Sequence, residues 1–204
     1  MNNLRLITDN FLQRAIYSLL LLSILLASSI SRAESDWDIN QLMQVLASVP
    51  SGHASFVEKK SIAMLEKPVE SSGELFYNAP DRLEKRTLKP KAENMLLDKD
   101  KLIVEQRGKK HVLALQNYPE VAAFIDSIRG TLAGDRKSLE RTYQLSLEGD
   151  AQNWSLILLP IDNKMKKIVA KISIAGSGNA LQTIDILQAD GDSSRMTITP
   201  LPAL

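Results

Sequence analysis

The sequence predicts a mainly-β α+β domain: one antiparallel sheet of about eleven strands, accompanied by two main helices. Three observations carry this. Over most of residues 53–200 apolar and polar side chains alternate, the pattern of a strand with one buried face. Breaks carrying Pro, Gly or Asp interrupt the alternation at short intervals, and several gaps are too short for anything but hairpins, so neighbouring strands run antiparallel. Two segments instead space their apolar residues three and four apart, as helices do.

Taken in chain order, Arg5 and Arg14 precede an apolar run from Ala15 to Ala27, and Ser31-Arg32-Ala33 fits the small-x-small cleavage rule. The run is shorter than the ~20 residues a spanning helix needs. Residues 1–33 therefore read as a secretory signal peptide, with an uncleaved membrane anchor as the alternative. Residues 34–204 read as a single domain. Ile39, Leu42, Met43 and Leu46 follow as an amphipathic helix, with Ser35 or Asp36 as its expected N-cap, stopped at Val49-Pro50-Ser51-Gly52. Six strands are expected near 53–63, 69–77, 82–88, 93–98, 101–107 and 110–115. The second helix is expected from Pro119 to Ala133, with Pro119 in the first turn and Gly134 just past the end. Val121, Phe124, Ile125, Ile128 and Leu132 share its apolar face, and Gly130 weakens its last turn. Five more strands follow. Tyr143, Leu145 and Leu147 lead through Gly149-Asp150 into Trp154, Leu156 and Leu158. After the polar connector 163–167 come strands near 168–175, 180–188 and 193–200.

A twisted antiparallel sheet of this size curls or divides into two packed layers. Two helices can cover the mouth of a curved sheet but hardly fill it, and only a few aromatics are available to occupy volume. A curled sheet would leave an apolar hollow; a closed or sandwiched sheet would have a packed core. The residues alone leave both open.

Composition excludes several classes of function. Lys+Arg 25 against Asp+Glu 24 gives a net charge of +1, without the basic excess of a nucleic-acid binder. With no cysteine there is no disulfide, thiol nucleophile, Cys-ligated zinc or lipid-modified Cys. His53 and His111 are the two histidines, and His53 has no orienting acid visible in the sequence, so neither a metal site nor a nucleophilic dyad is expected. Gly176-Ser177-Gly178 lacks a third glycine and reads as a turn. Asp98-Lys99-Asp100 and Asp190-Gly191-Asp192 lack calcium-loop spacing and read as hairpin turns. Lys164, Lys166 and Lys167 form a short basic run, read as a solvated connector, with contact to an anionic headgroup or acidic partner as the alternative. No catalytic residue, metal or cofactor is expected.

Four segments together resemble the LolA family of periplasmic lipoprotein carriers. Val49-Pro50-Ser51-Gly52-His53-Ala54-Ser55-Phe56-Val57-Glu58-Lys59 is similar to the passage from the family's first helix into its first strand. Gly73-Glu74-Leu75-Phe76-Tyr77-Asn78-Ala79-Pro80 resembles its next strand and turn. Met95 to Leu102 resembles its hairpin around an Asp, and Leu156-Ile157-Leu158-Leu159-Pro160 its L-x-L-x-P strand end. The order and spacing of these segments extend over nearly all of residues 34–204, as in a branch related to LolA.

The resemblance implies an incomplete β-barrel whose concave face is covered by the two helices. It implies a periplasmic, non-enzymatic and monomeric carrier that shields acyl chains of a lipoprotein or glycolipid. Such a carrier takes its cargo from an inner-membrane lipid exporter and passes it to an outer-membrane acceptor. On the same basis Leu46 and Leu132 fall where the lid meets the cavity, and Leu83 falls at a docking position. Phe56, Leu75, Tyr77, Phe124 and Ile128 are further candidates for the lipid-binding interior. For each of these residues ordinary core packing is the competing expectation. A periplasmic interaction or sensor domain that binds a protein rather than ferrying lipid is the alternative function. Two departures stand out. Ala79 occupies the position of an Arg that latches the family's lid, leaving Arg82 or Arg129 to replace it. Leu83, Lys85 and Thr87 alternate where the family is aromatic and apolar, which implies a more polar cargo rim.

Overall fold

A computed structural model of the protein describes residues 37–202. The expected signal peptide and the expected caps Ser35 and Asp36 lie outside the described residues. The observed cap is Asp38. Its carboxylate accepts a hydrogen bond from Gln41 N at 2.8 Å, and the Gln41 amide oxygen accepts one back from Asp38 N at 3.1 Å. This reciprocal capping box starts helix α1, Ile39–Ala47, which buries Leu42, Met43 and Leu46 on one face. Among the described residues no helix is long and apolar enough to cross a membrane.

Six strands follow: β1 Ser51–Ser61, β2 Val69–Asn78, β3 Arg82–Lys89, β4 Glu93–Asp98, β5 Lys101–Gln106 and β6 Lys109–Ala114. The chain then forms a 3-10 turn at Leu115–Asn117, helix α2 at Pro119–Leu132 and a short third helix, α3, at Arg136–Glu140. Strands β7 Tyr143–Asp150, β8 Asn153–Pro160, β9 Val169–Ser177, β10 Ala180–Gln188 and β11 Ser193–Pro200 complete the domain. All eleven strands join one antiparallel sheet in the order β6-β5-β4-β3-β2-β1-β11-β10-β9-β8-β7. The sheet is curved and does not close into a barrel. The pairing of β1 with β11, Phe56 opposite Ile198, joins the two runs of hairpins into one surface.

Turn chemistry explains the breaks. At Arg107 and Gly108 both φ angles are positive, 53° and 73°, which is the two-residue turn whose twist matches a hairpin. The end of α2 follows the same logic. Gly134 has φ +64°, its N–H donates to Thr131 O at 3.1 Å, and Asp135 N donates to Gly130 O at 2.8 Å. That pair of bonds satisfies carbonyls the helix leaves free. A β-carbon on Gly134 would stand 2.1 Å from Met43 O, so α1 packs against this turn through backbone. Gly134→Ala is therefore expected to destabilise the domain by about 2 kcal/mol, from left-handed strain alone before the clash with α1 is added. The midpoint of urea unfolding measures it.

The sequence missed α3, whose signals are local. Asp135 accepts from Ser138 N at 3.0 Å, and Arg136 reaches Glu140 one turn on at 2.7 Å. Arg136 also donates to Asn40 Oδ1 at 2.8 Å, tying α3 to α1. Helix α2 packs Phe124, Ile125 and Ile128 of its expected face on the core, but not the whole of that face. Val121, expected inside, is 38% exposed, while Ser127 and Thr131 are fully buried. The buried stripe is made of small residues because the neighbours come close: a β-carbon on Gly130 would stand 2.9 Å from Leu139 of α3. The two hydroxyls bond to carbonyls of their own helix, Ser127 to Phe124 O at 2.6 Å and Thr131 to Ser127 O at 2.7 Å, so their burial leaves nothing unsatisfied.

Candidate functional site

Register defines the inner face of the sheet, the face that carries the helices. Phe56 lies opposite Ile198 and Gly73, Tyr77 opposite Gly52 and Leu83, and Leu83 opposite Leu97. The apolar side chains of this face fall into two separate clusters. The larger centres on α1, α3 and β8–β9, with Leu46, Leu139, Trp154 and Leu156 fully buried. The smaller comprises Leu97, Leu102 and Leu115, with Leu83 and Met95 packed against it. Helix α2 serves both. Ala123, Phe124 and Ile128 pack on the larger cluster, while Ala122 and Ile125 pack on the smaller. Helix α2 thus lies along the division between two apolar clusters.

The predicted lipid-binding residues distribute accordingly. Leu46, Leu75, Phe124 and Ile128 belong to or pack on the larger cluster, and Leu83 packs on the smaller. Phe56 and Tyr77 are buried on the inner face between the two. Leu132 is half-buried. The interior between α1 and β8 is packed by side chains of the protein, with Leu42, Leu46, Trp154, Leu156 and Leu158 exposed by 1% or less, while Leu75, Leu83, Phe124 and Ile128 are only partly buried. A cavity of about 570 Å³ lies elsewhere, toward the β3–β4 and β5–β6 turns. Its lining mixes charged residues, Arg86, Glu93, Glu105 and Lys110, with the apolar Leu88 and Ala92.

Two contacts link α2 to the sheet by polar groups. Tyr143 Oη donates to Ala123 O at 3.2 Å. Arg129 Nη1 donates to Lys99 O, in the β4–β5 turn, at 3.3 Å, while its other nitrogen holds Asp126 at 2.6 Å. Of the two arginines named above, Arg129 thus connects helix and rim, whereas Arg82 faces Asp98 at 3.9 Å. Burial pushes the Tyr143 phenol up to about 12, and the charge of Asp126 adds to it. The neutral phenol is the form the fold favours. Its contribution to stability is complete below pH 10, the ordinary tyrosine value, and is lost as pH rises toward about 12. Unfolding midpoints measured from pH 9 to 12 should fall more steeply for the wild type than for Tyr143→Phe.

A charged group that the sequence did not assign also sits on the inner face. Glu58, 6% exposed, is bonded by Lys85 from β3, by Ser194 from β11 at 2.9 Å and by Lys60 at 3.5 Å. Burial pushes its carboxyl up, but the hydrogen bond and charge of Lys85, then Lys60 and Ser194, outweigh burial and hold it below the ordinary glutamate value. Lys85 Nζ also stands 4.9 Å from the centre of the Phe56 ring. The signal was present in the sequence as a charge two residues from Phe56, in inward register. Its partner on another strand was not legible. His53 is on the outer face, stacked on Phe76 at 4.5 Å with Nε2 3.3 Å from Glu74. That arrangement aligns no nucleophile. Among the described residues no group of three or more His, Asp or Glu stands ready to hold a metal.

Comparison with known proteins gives one family. The family described as outer membrane lipoprotein carrier protein LolA-like matches residues 31–200. No curated protein matches the chain. Among solved structures, a LolA superfamily protein from Nitrosomonas europaea is 12% identical, with a TM-score of 0.45 over 81% of this chain and 94% of its own. A chain of the MucA/MucB complex of Pseudomonas aeruginosa is 14% identical, with a TM-score of 0.48 over 79% of this chain and 56% of its own. The lipoprotein LppX of Mycobacterium tuberculosis is 11% identical, with a TM-score of 0.44 over 81% of this chain and 94% of its own.

Proposed function

This chain belongs to the outer membrane lipoprotein carrier LolA-like family, and from that premise we propose that it is a periplasmic carrier that shields acyl chains in transit from the inner to the outer membrane. The observation that carries the reading is the position of α2 astride two apolar clusters of an open sheet. Each methylene left in water costs about 0.8 kcal/mol, so a 16-carbon chain costs on the order of 12 kcal/mol. A carrier must cover most of that area and still let it go. Leucine, isoleucine and methionine walls do so without directional bonds. Side chains pack the space beneath the helices, so loading requires α2 to lift. The Phe124, Ile128 and Leu132 side of the helix and Leu46 on α1 then part from the sheet, and acyl chain replaces side chain against Phe56, Leu75, Tyr77 and Leu83. The apolar area covered is similar before and after, which keeps the exchange near balance and release feasible. Transfer from exporter to acceptor follows a gradient of affinity and needs no covalent step or cofactor.

The absence of cysteine permits a clean test. With Lys99→Cys and Arg129→Cys joined by a short thiol-reactive bis-maleimide cross-linker, α2 is held to the β4–β5 turn. The protein is expected to take up a fluorescent fatty acid when unlinked and to lose most of that uptake when linked. Equal uptake in both states removes the lid from the mechanism, and no uptake in either removes the carrier. In that last case the domain binds a protein instead. The edges of β6 and β7, unpaired among the described residues, would then accept an added strand.

A further inference from the structure

We propose that Lys85 receives the headgroup of an anionic amphiphile on the inner face of the sheet. The cargo is thus an acyl lipid ending in a carboxylate or phosphate rather than a neutral one, an inference that rests on the carrier reading. The charge balance supports it. Glu58 is met by two ammonium groups, the partly buried Lys85 and the more exposed Lys60, so the cluster carries one net positive charge, with Lys85 beside the aromatic face of Phe56. The two partners of the central pair are unequally placed. The Lys85 side chain is 24% exposed and Glu58 is 6% exposed, so the cation is on the open side. If Lys85 turns to a ligand, Glu58 keeps Lys60, Ser194 and Ser71, the last at 3.5 Å, and is not stranded.

Backbone geometry brings the pair together. Glu58 is opposite Ser71 and Lys85 is opposite Leu75, so the diagonal between them crosses β2 at Gly73. A β-carbon there would run into the Arg86 carbonyl, 1.9 Å away. Glycine lets β3 close in at this point and leaves the path over β2 clear. Farther toward the helices on the same face, Tyr77 is buried and its hydroxyl has no hydrogen-bond partner. Tyr77 is two residues along β2 from Leu75, or about 7 Å. A ligand whose charged end meets Lys85 and whose chain runs under α2 would bring a carbonyl or hydroxyl within reach of that orphan. The buried polar group then gains the bond it lacks.

The test uses the whole purified chain and displacement of a fluorescent fatty acid by palmitate, by hexadecyl phosphate and by neutral hexadecanol. The wild type is expected to prefer the two anions over the alcohol by about tenfold or more, the scale of one charge-assisted contact. Lys85→Gln is expected to bring that ratio near one, and Lys85→Arg to keep it, with folding checked by thermal melting. Equal affinity of the wild type for anion and alcohol, or an unchanged ratio in Lys85→Gln, overturns the headgroup site while leaving the carrier intact. Failure of all three amphiphiles to bind overturns the carrier reading itself. Inorganic phosphate is expected to displace nothing at millimolar concentration; displacement by phosphate alone would reassign Lys85 to a free anion and also overturn the proposal.

Discussion

Replacing Trp154 by alanine is expected to cost about 3–5 kcal/mol, the range for emptying a buried aromatic site. Trp154 is 0% exposed, and its indole N–H donates to Gly178 O at 2.9 Å. It stands opposite Gly176 and Gly149, two residues without side chains, so the ring fills space that its neighbours leave empty. A β-carbon on Gly176 would come within 2.6 Å of the ring, which shows how closely the two strands and the indole are fitted. Alanine there leaves a void that β8 and β9 cannot close, because both are pinned by neighbouring strands. For a domain of this size the melting temperature should fall by roughly 10 °C or more. Leu159, on the same strand but 40% exposed, is the control: Leu159→Ala should cost well under 1 kcal/mol. Equal losses at the two positions would mean that the inner and outer faces of β8 have been exchanged. Trp154→Phe should fall between, since it retains most of the apolar bulk and loses the hydrogen bond.

Glu58→Ala is the second large effect, about 2–3 kcal/mol, because it removes the one buried acceptor shared by Lys85, Ser194 and Ser71. Lys85→Met should cost less, since Glu58 keeps Lys60 and Ser194. The double substitution Glu58→Leu with Lys85→Met should recover most of the loss, as no charge is then left buried without its counterpart. The same pair predicts a pH dependence. The folded Glu58 carboxyl lies below its ordinary value of 4.5. Its contribution is therefore complete above pH 4.5 and is lost as pH falls through the depressed folded value. Acid unfolding curves should be steeper below pH 4.5 for the wild type than for the Glu58→Gln variant. Parallel curves would show that the pair contributes nothing on balance.

Much of this architecture was legible before any coordinates. Strand limits such as those of β4 and β11 follow from alternation bounded by turn residues. The end of α2 follows from Gly134, because only the local backbone decides whether a left-handed residue is tolerated. The capping residue of α1 was misplaced by two to three positions. Ser35, Asp36 and Asp38 are all competent caps, and the choice falls to the one whose third neighbour, Gln41, can answer it. One residue of the expected α2 face, Val121, turns outward for a different reason. Hydrophobicity favours Val121, but close approach to α3 favours the smaller Ser127 and Gly130, and closeness is a property of two elements together.

The candidate site divides along the same line. Leu46 could be placed on an inward position from its spacing alone, since period three-and-four is a property of a single segment. Phe56, Leu75 and Tyr77 were implied by the family resemblance, because Phe56-Val57 and Leu75-Phe76-Tyr77 are unbroken apolar runs that alternation does not phase. The sequence by itself therefore determined the succession of strands and main helices and where most of them stop. The tertiary structure alone decided that β1 lies beside β11, that α2 spans two clusters, and that Glu58 meets Lys85 across a glycine. The reason is physical: a periodic segment declares that it has a face to bury, while the partner of that face is chosen by twist, register and close packing among residues far apart in the chain, 27 positions for Lys85 and Glu58 and 136 for Ser194 and Glu58.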